Sequence, residues 1–322
     1  MARARRPGIL HTRVRDIEFG SLDDSRATVA AMGRAGGFTG KKLADGVSVL
    51  KAMFASRRQT TFLSFPAALM ATGTRGLLRG LVEHKLVDAV ITTCGTADHD
   101  LARCWGDYYH GDFEMDDVRL KRLGVHRLGN VLVPSAVYGP GLERRLQPMF
   151  REMHSRQKRW STRELLWELG RRTGDRSSLL YWCWKNKIPI YVPAMFDGAV
   201  GSQLWLFWQD HKDLVLEEFR DEQELADLVF TAKEAGALMI GGGVSKHHTI
   251  WWAQFRGGLD AAVYITTAVE HDGSLSGART REGISWGKIK AKAAHVTIEA
   301  DVTLILPLML SAAVPRRHLT RK

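Results

Sequence analysis

The chain has 322 residues, a formal net charge of +11 at pH 7, 45% hydrophobic residues and 25% charged residues. That composition excludes a largely disordered chain, and the length suffices to bury a substantial core. No run of about 18 apolar residues occurs, and the opening MARARRPG lacks the apolar centre of a signal peptide, so a cytoplasmic, non-membrane protein is expected.

Three scattered cysteines, Cys94, Cys104 and Cys183, fit a reducing compartment, and neither a disulfide framework nor a zinc site. The basic residues gather at 1–15, 151–163 and 171–176, but they are mixed with Glu and Asp and lack interleaved aromatics. A solvated surface is therefore favoured over nucleic-acid binding.

In chain order, the spacing of Leu43, Val47, Leu50 and Phe54 predicts a helix over 41–54. Residues 60–65 read as a strand, Pro66 suits a first helical position, 67–82 supplies a helix and 87–93 a second strand, which makes one crossover unit. Cys94-Gly95-Thr96-Ala97-Asp98-His99-Asp100 is then a small-residue turn into a helix, the junction where nucleotide cofactors sit in open parallel sheets. Its alternative is a plain loop with Asp98 as N-cap. Asp98, His99, Asp100, His110 and Asp112 show no zinc-ligand spacing, and no metal is expected.

Residues 127–134 read as a strand and turn, and Gly139, Pro140 and Gly141 open the next helix. Ser161-Thr162-Arg163-Glu164 is a capping box for a helix carrying Leu165, Leu166 and Leu169 and stopping near Gly170. A helix over 177–185 and a short buried strand over 188–195 follow, with Asp197-Gly198 just beyond.

The richest stretch is 238–290. An apolar run at 237–240 meets Gly241, Gly242 and Gly243, then a helical segment at 245–255, then a strand at 261–266. Glycines between strand and helix let backbone N–H groups approach a phosphate at the positive end of the helix dipole. The spacing matches neither G-x-G-x-x-G nor a Walker loop, so a tight turn stands as the other reading. Residues 272–288 form a long ordered loop of the kind that carries function. Residues 295–300 give a last strand, Asp301 caps a helix over 302–310, and the basic tail 316–322 is expected to fray.

The strand ends at Thr93, Asp197 and Gly241 are expected to share one crevice beyond the carboxyl edge of a doubly wound, mostly parallel α/β sheet with helices on both faces. The expected organisation is a basic arm over 1–35, one domain over 36–312 and a basic tail over 313–322.

Several motifs resemble those of deoxyhypusine synthase, in the right order along 36–310. They are Ile91-Thr-Thr-Cys-Gly95, Arg127-Leu-Gly-Asn-Val-Leu-Val-Pro134, Pro193-Ala-Met-Phe-Asp-Gly198, Ile240-Gly-Gly-Gly-Val-Ser-Lys-His-His248, Ala262-Val-Tyr-Ile-Thr-Thr-Ala268, Asp272-Gly-Ser-Leu-Ser-Gly-Ala-Arg279 and Ile284-Ser-Trp-Gly-Lys-Ile289. Ser274-Leu275-Ser276 and the Trp251-Trp252 pair are similar to the archaeal branch.

The resemblance implies a homotetrameric transferase with NAD in a Rossmann-like sheet and active sites shared between subunits. Spermidine would be dehydrogenated, its aminobutyl group carried as an imine on Lys288, then passed to one lysine of translation initiation factor 5A and reduced. By the same resemblance Thr93, Cys94, Gly95, Asp197, Gly242, Thr267, Ala268 and Asp301 fall at NAD positions. Asp98, Gly273, Ser274, Glu282 and Trp286 fall at the amine, and His247 beside Lys288 is catalytic.

A lysine attacks carbonyl-type carbon only as the free amine, and the Trp286 indole can supply an apolar wall. Asp98 and Glu282 suit ammonium ends, because buried cations need carboxylates; the other readings are a helix cap and a surface charge. His99, Ser202 and Leu275 stand where the eukaryotic pattern has acids, and residues 67–71 lack a Ser-Asn pair near the cofactor. Two relatives of the reaction stay open, transfer to a free diamine to give homospermidine and the use of agmatine as donor.

Overall fold

A computed structural model describes residues 12–319. Its central sheet is built from β1 (Gln59–Ser64), β2 (Ala89–Ile91), β3 (Ile190–Tyr191), β4 (Glu234–Ile240), β5 (Leu259–Thr266) and β6 (Ile289–Glu299). All neighbours are parallel, and the spatial order is β6-β5-β4-β1-β2-β3. The chain steps outward from β1 to β3, returns to the other side of β1, and steps outward again. The direction of winding therefore reverses between β1 and β4, and the loops leaving those two strands diverge to open a crevice at the carboxyl edge.

Both faces of the sheet are apolar, as a parallel sheet requires. Alternate residues go to opposite sides, so β4 sends Leu238 and Ile240 to one core and Ala237 and Met239 to the other. Likewise β5 sends Val263 and Ile265 one way, Ala262 and Tyr264 the other. Helices Phe38–Ala55 and Val302–Ala313 help cover the first face, and Glu218–Thr231 and Val244–Gln254 cover the second.

Several local expectations are corrected. The helix expected over 67–82 is a 3-10 turn, Ala67–Ala71, followed by a separate helix, Arg75–Glu83. The hydroxyls of Thr72 and Thr74 both donate to the Leu69 carbonyl, at 2.8 and 3.1 Å, and compete with the helical ladder. Residues 127–134 are part of an antiparallel hairpin, Val125–Leu128 with Val131–Pro134, turning at Gly129 and Asn130.

The capping box at Ser161 is present, but its helix runs through Gly170 to Thr173 and ends at Gly174, φ +60°. Gly170 serves close packing: a Cβ there would lie 2.4 Å from the Leu180 backbone of the neighbouring helix. The strand expected over 188–195 is only Ile190–Tyr191, between Pro189 and Pro193. β6 begins earlier than residue 295, and an irregular register between Ile289 and Ala294 hides its first half from a period-two reading.

The arm expected over 1–35 includes a helix, Ser25–Ala35, capped by Asp24, with Val29 in the core. The first part of that arm, 1–11, and residues 320–322 of the tail lie outside the described residues; Arg316–Leu319 is a helical turn. No helix among the described residues is long and apolar enough to cross a membrane.

Candidate functional site

The glycine run lies where the sheet order reverses. Gly241 leaves β4 with its N–H donating to the Ile265 carbonyl at 2.7 Å, and Gly242 turns the chain into the helix Val244–Gln254 at φ +77°. A side chain at Gly242 would stand 2.6 Å from the Ser245 hydroxyl, a buried group with no hydrogen-bond partner among the described residues. Among the described residues no side chain caps the helix, so its first N–H groups remain available to an anion. Gly241 and Gly242, with Pro66, Thr267, Ala268 and Asp301, line a cavity of about 280 Å³. Asp301 also caps Val302–Ala313, accepting from the Thr303 N–H at 2.7 Å.

A second cavity, of about 150 Å³, opens on the Met239 and Ile289 side of the sheet. Lys288, His247, Glu282 and Trp286 all line it. Lys288 sits at the start of β6, its N–H on the Gly283 carbonyl at 2.9 Å and its carbonyl taking the Leu259 N–H at 3.1 Å, so its backbone is held on both sides. Its side chain is only 7% exposed. The Nζ is 5.1 Å from the centroid of the Trp286 indole and 5.7 Å from that of Trp251. His247 lies against Trp251, ring centroids 5.4 Å apart, and burial, then the charge of Lys288, hold its pKa below the usual imidazole value. At neutral pH the imidazole is therefore neutral and able to accept a proton.

One wall of this cavity is set by a residue that carries no role in the sequence motifs. Lys246 is 2% exposed, donates to the carbonyls of Leu275, at 2.8 Å, and Ala278, and lies 3.6 Å from the centroid of the Tyr264 ring. Burial lowers its pKa to about 7, against the opposing pull of Glu282 and with the help of Arg279 and Lys288. Its signal was present: Lys246, Thr249, Ile250 and Ala253 share the buried stripe of one helix. The segment it holds is also the wall of the glycine cavity, since the Ser276 carbonyl accepts from Tyr264 Oη at 2.5 Å and Thr266 Oγ1 at 3.0 Å, and Ser276 lines that cavity.

Two cavities sharing one loop, one edged with glycine and the other holding a buried lysine between indoles, are matched by similarity over nearly the whole chain. The family model for deoxyhypusine synthase matches residues 27–313. The chain belongs to the deoxyhypusine synthase family. It is 50% identical over 303 residues to a Picrophilus torridus protein named "Probable deoxyhypusine synthase", covering 94% of this chain and 97% of that one. A Sulfolobus acidocaldarius protein of the same name is 45% identical, covering 97% and 100%. A crystal structure from Entamoeba histolytica assigned as a deoxyhypusine synthase shares the fold, with TM-score 0.67, 20% identity and coverage of 93% and 96%.

Not every residue that the deoxyhypusine synthase motifs single out meets in these cavities. Gly242, Thr267, Ala268 and Asp301 meet in the first; Lys288, His247, Glu282 and Trp286 meet in the second. Thr93 lies next along the edge, its Oγ1 accepting the Ala67 N–H at 3.3 Å beside Pro66. Cys94 is fully buried, and burial pushes its thiol pKa up, with Asp98 adding to the effect. Gly95 packs on Ala67, and Gly198, after Asp197, packs on Cys94 and Asp98. None of Thr93, Cys94, Gly95 and Asp197 lines the first cavity; Thr93 and Gly95 reach its edge through Ala67.

Asp98 has a different task. It lies inside the helix Gly95–Trp105 and is 1% exposed. Its two oxygens accept the N–H groups of Ala199 and Val200, each at 2.7 Å, and the Tyr138 hydroxyl at 2.9 Å, capping the helix Ala199–Asp210. Two residues on, Asp100 takes Arg75 and the N–H groups of Leu179 and Leu180 to cap another helix, Leu179–Asn186. Gly273 and Ser274 lie on the exposed side of the loop; their neighbour Leu275 is the one that reaches the second cavity. Among the described residues no group of three His, Cys, Asp or Glu side chains is arranged to hold a metal ion.

Proposed function

We propose that this family member is an NAD-dependent deoxyhypusine synthase that transfers the aminobutyl group of spermidine through an imine on Lys288 to one lysine of the precursor of translation initiation factor 5A. The single observation that carries the reading is Lys288, buried between two indoles, with neutral His247 and the Glu282 carboxylate on the same cavity wall.

The first cavity fits NAD: uncapped helix N–H groups and close-approach glycines suit the pyrophosphate, and the orphaned Ser245 hydroxyl aims at the same turn. Bound there, NAD would supply the oxidation of the amine and the later reduction of the product imine. The chain's own residues do the rest. Once it has given up its proton, Lys288 Nζ attacks the imine carbon, and 1,3-diaminopropane leaves as the new C=N bond forms. The acceptor lysine then displaces Lys288 in the same way. His247 takes the proton that each attacking nitrogen sheds, Glu282 holds an ammonium end, and Trp286 and Trp251 keep water from the imine. Assembly as a homotetramer is supported by exposed apolar side chains such as Trp205 and Phe196, 56% and 54% exposed. The unpaired thiols Cys94, Cys104 and Cys183 support a cytoplasmic location.

The test is treatment with NAD, labelled spermidine and borohydride, then peptide mapping and incubation with the translation factor. An aminobutyl mass on the Lys288 peptide, absent from Lys288→Arg, supports the reading; label on Lys290 or Lys246 defeats it. A second reading is favoured by one feature. Among the described residues Glu282 is the only carboxylate lining the second cavity, beside Lys246, Lys288 and Arg279, which is sparse for a triamine. Glu270 does not help, because it pairs with Arg279 at 3.1 Å. Either a neighbouring subunit supplies acids, or the donor is less charged than spermidine, agmatine included, or the acceptor is a free diamine. A panel of spermidine, putrescine, homospermidine and agmatine separates these.

A further inference from the structure

A third, smaller pocket has no part in the chemistry above. It lies past the end of β3, where Tyr191, Thr162, Glu218, Asp221, Glu222 and His248 surround a cavity of about 30 Å³. The acids alone mean little, since Glu218 and Asp221 occupy the first turn of Glu218–Thr231 and suit its dipole. What the dipole leaves unexplained is the polar floor. Tyr191 Oη, Thr162 Oγ1 and Asp221 Oδ1 are buried in residues 2%, 3% and 7% exposed, and none has a partner at hydrogen-bonding geometry among the described residues, although Glu224 stands near Tyr191 and Ser161 near Asp221. Buried polar atoms are rarely left so, and three in one pocket point to a shared occupant.

The surrounding bonds say what that occupant is. Asp221 spends its other oxygen on the Arg163 N–H at 3.0 Å, and burial keeps its pKa raised. Arg163 cannot reach in as the counterion, because its guanidinium bonds Glu224 at 2.9 Å and stacks on Trp167 at 4.3 Å. Glu222 is shared between His248, at 3.2 Å, and the Trp252 indole N–H, at 2.8 Å. Among the described residues, the pocket thus presents oxygen acceptors and carboxylate charge with no free N–H donor on its lining side chains. Its volume exceeds the roughly 10–15 Å³ needed by one small molecule the size of water.

We propose that this pocket is an accessory amine site that binds one ammonium group, either the free ion or the primary ammonium end of an alkylamine. Three N–H donors meet the three free oxygens, and the positive charge meets Glu218, Asp221 and Glu222. The helix Val244–Gln254 links this site to the reacting lysine, since His248 lines one cavity and His247 the other. The proposal does not depend on which reaction Lys288 performs.

Thermal unfolding of the full-length protein at fixed ionic strength tests it, with tetramethylammonium chloride exchanged for ammonium, methylammonium or potassium chloride. A saturable rise on the order of 2 °C is expected with ammonium. An equal rise with methylammonium assigns the site to alkylamines; a rise with ammonium alone assigns it to the free ion. Tyr191→Phe and Thr162→Val, which remove only unpartnered hydroxyls, should each cut the rise by half or more. No rise, an equal rise with potassium, or a rise that survives in both variants overturns the proposal.

Discussion

The two cavities on either side of the segment 268–280 are made of different material. The one at the reversal of strand order is mostly backbone and small residues, Gly241, Gly242, Thr267 and Ala268, and its shape follows from where two loops part. The other is made of long side chains, Lys246, His247, Glu282, Trp286 and Lys288, whose positions depend on contacts across four elements. A backbone-built site tolerates most substitutions except an added Cβ. A site built from side chains is sensitive to each one.

The sharpest way to separate them is Lys288→Ala, which should reduce aminobutyl transfer on the order of a thousandfold or more while leaving NAD affinity, read by fluorescence titration, nearly unchanged. Gly242→Val should do the reverse. A β-branched residue at φ +77° with its Cβ against Ser245 should weaken NAD binding about tenfold or more and alter amine affinity, read by calorimetry, far less.

Asp98→Asn belongs to neither cavity. Replacing one acceptor oxygen by an NH₂ group facing a helix N–H should cost about 1–3 kcal/mol in denaturant unfolding, without a selective loss of amine affinity. A selective rise in the amine KM at unchanged stability would return Asp98 to the substrate site.

Lys246 gives a pH-dependent effect. Its pKa is about 7 in the folded chain, below the ordinary 10.5, so between those values the unfolded chain binds the extra proton. The burial cost is then fully present below pH 7, and stability rises with pH by up to about 1.4 kcal/mol per unit until it levels off near 10.5. Lys246→Met should flatten that slope in unfolding titrations at pH 6, 8 and 9.

The smallest effect concerns the departures from the eukaryotic pattern. Leu275 lines the lysine cavity, whereas Ser202 is exposed with its hydroxyl on the Gly198 carbonyl, and His99 bonds Tyr108 at 2.9 Å. Leu275→Asp should strengthen spermidine binding several-fold, and Ser202→Asp should leave binding within one subunit unchanged. Equal effects in the donor panel would show that a second subunit brings position 202 to the site.

Patterns that are local in physical origin were legible without coordinates. Alternation and apolar runs marked the strands of a doubly wound sheet, the Ser161 box and Asp301 marked helix starts, and the glycine run marked the switch point. The motif around Lys288 pointed to the lysine that is proposed to carry the imine. Periodicity misleads where side chains compete with the backbone, as at Thr72 and Thr74, or where a glycine such as Gly170 serves close packing and not termination.

What the sequence determined by itself was whatever rests on neighbours three or four residues apart or on a motif's spacing: fold class, the glycine loop, and Lys288 with Trp286. Only the tertiary structure decided how distant polar groups are spent. Asp98 and Asp100 sit two residues apart on one helix, yet each caps a different helix about 80 to 100 residues further on. Among the described residues Lys246 has no acid within hydrogen-bonding reach, and it is held by carbonyls about 30 residues away. A buried charge takes whatever partners the fold brings to it, and those partners are chosen by packing, which no local pattern records.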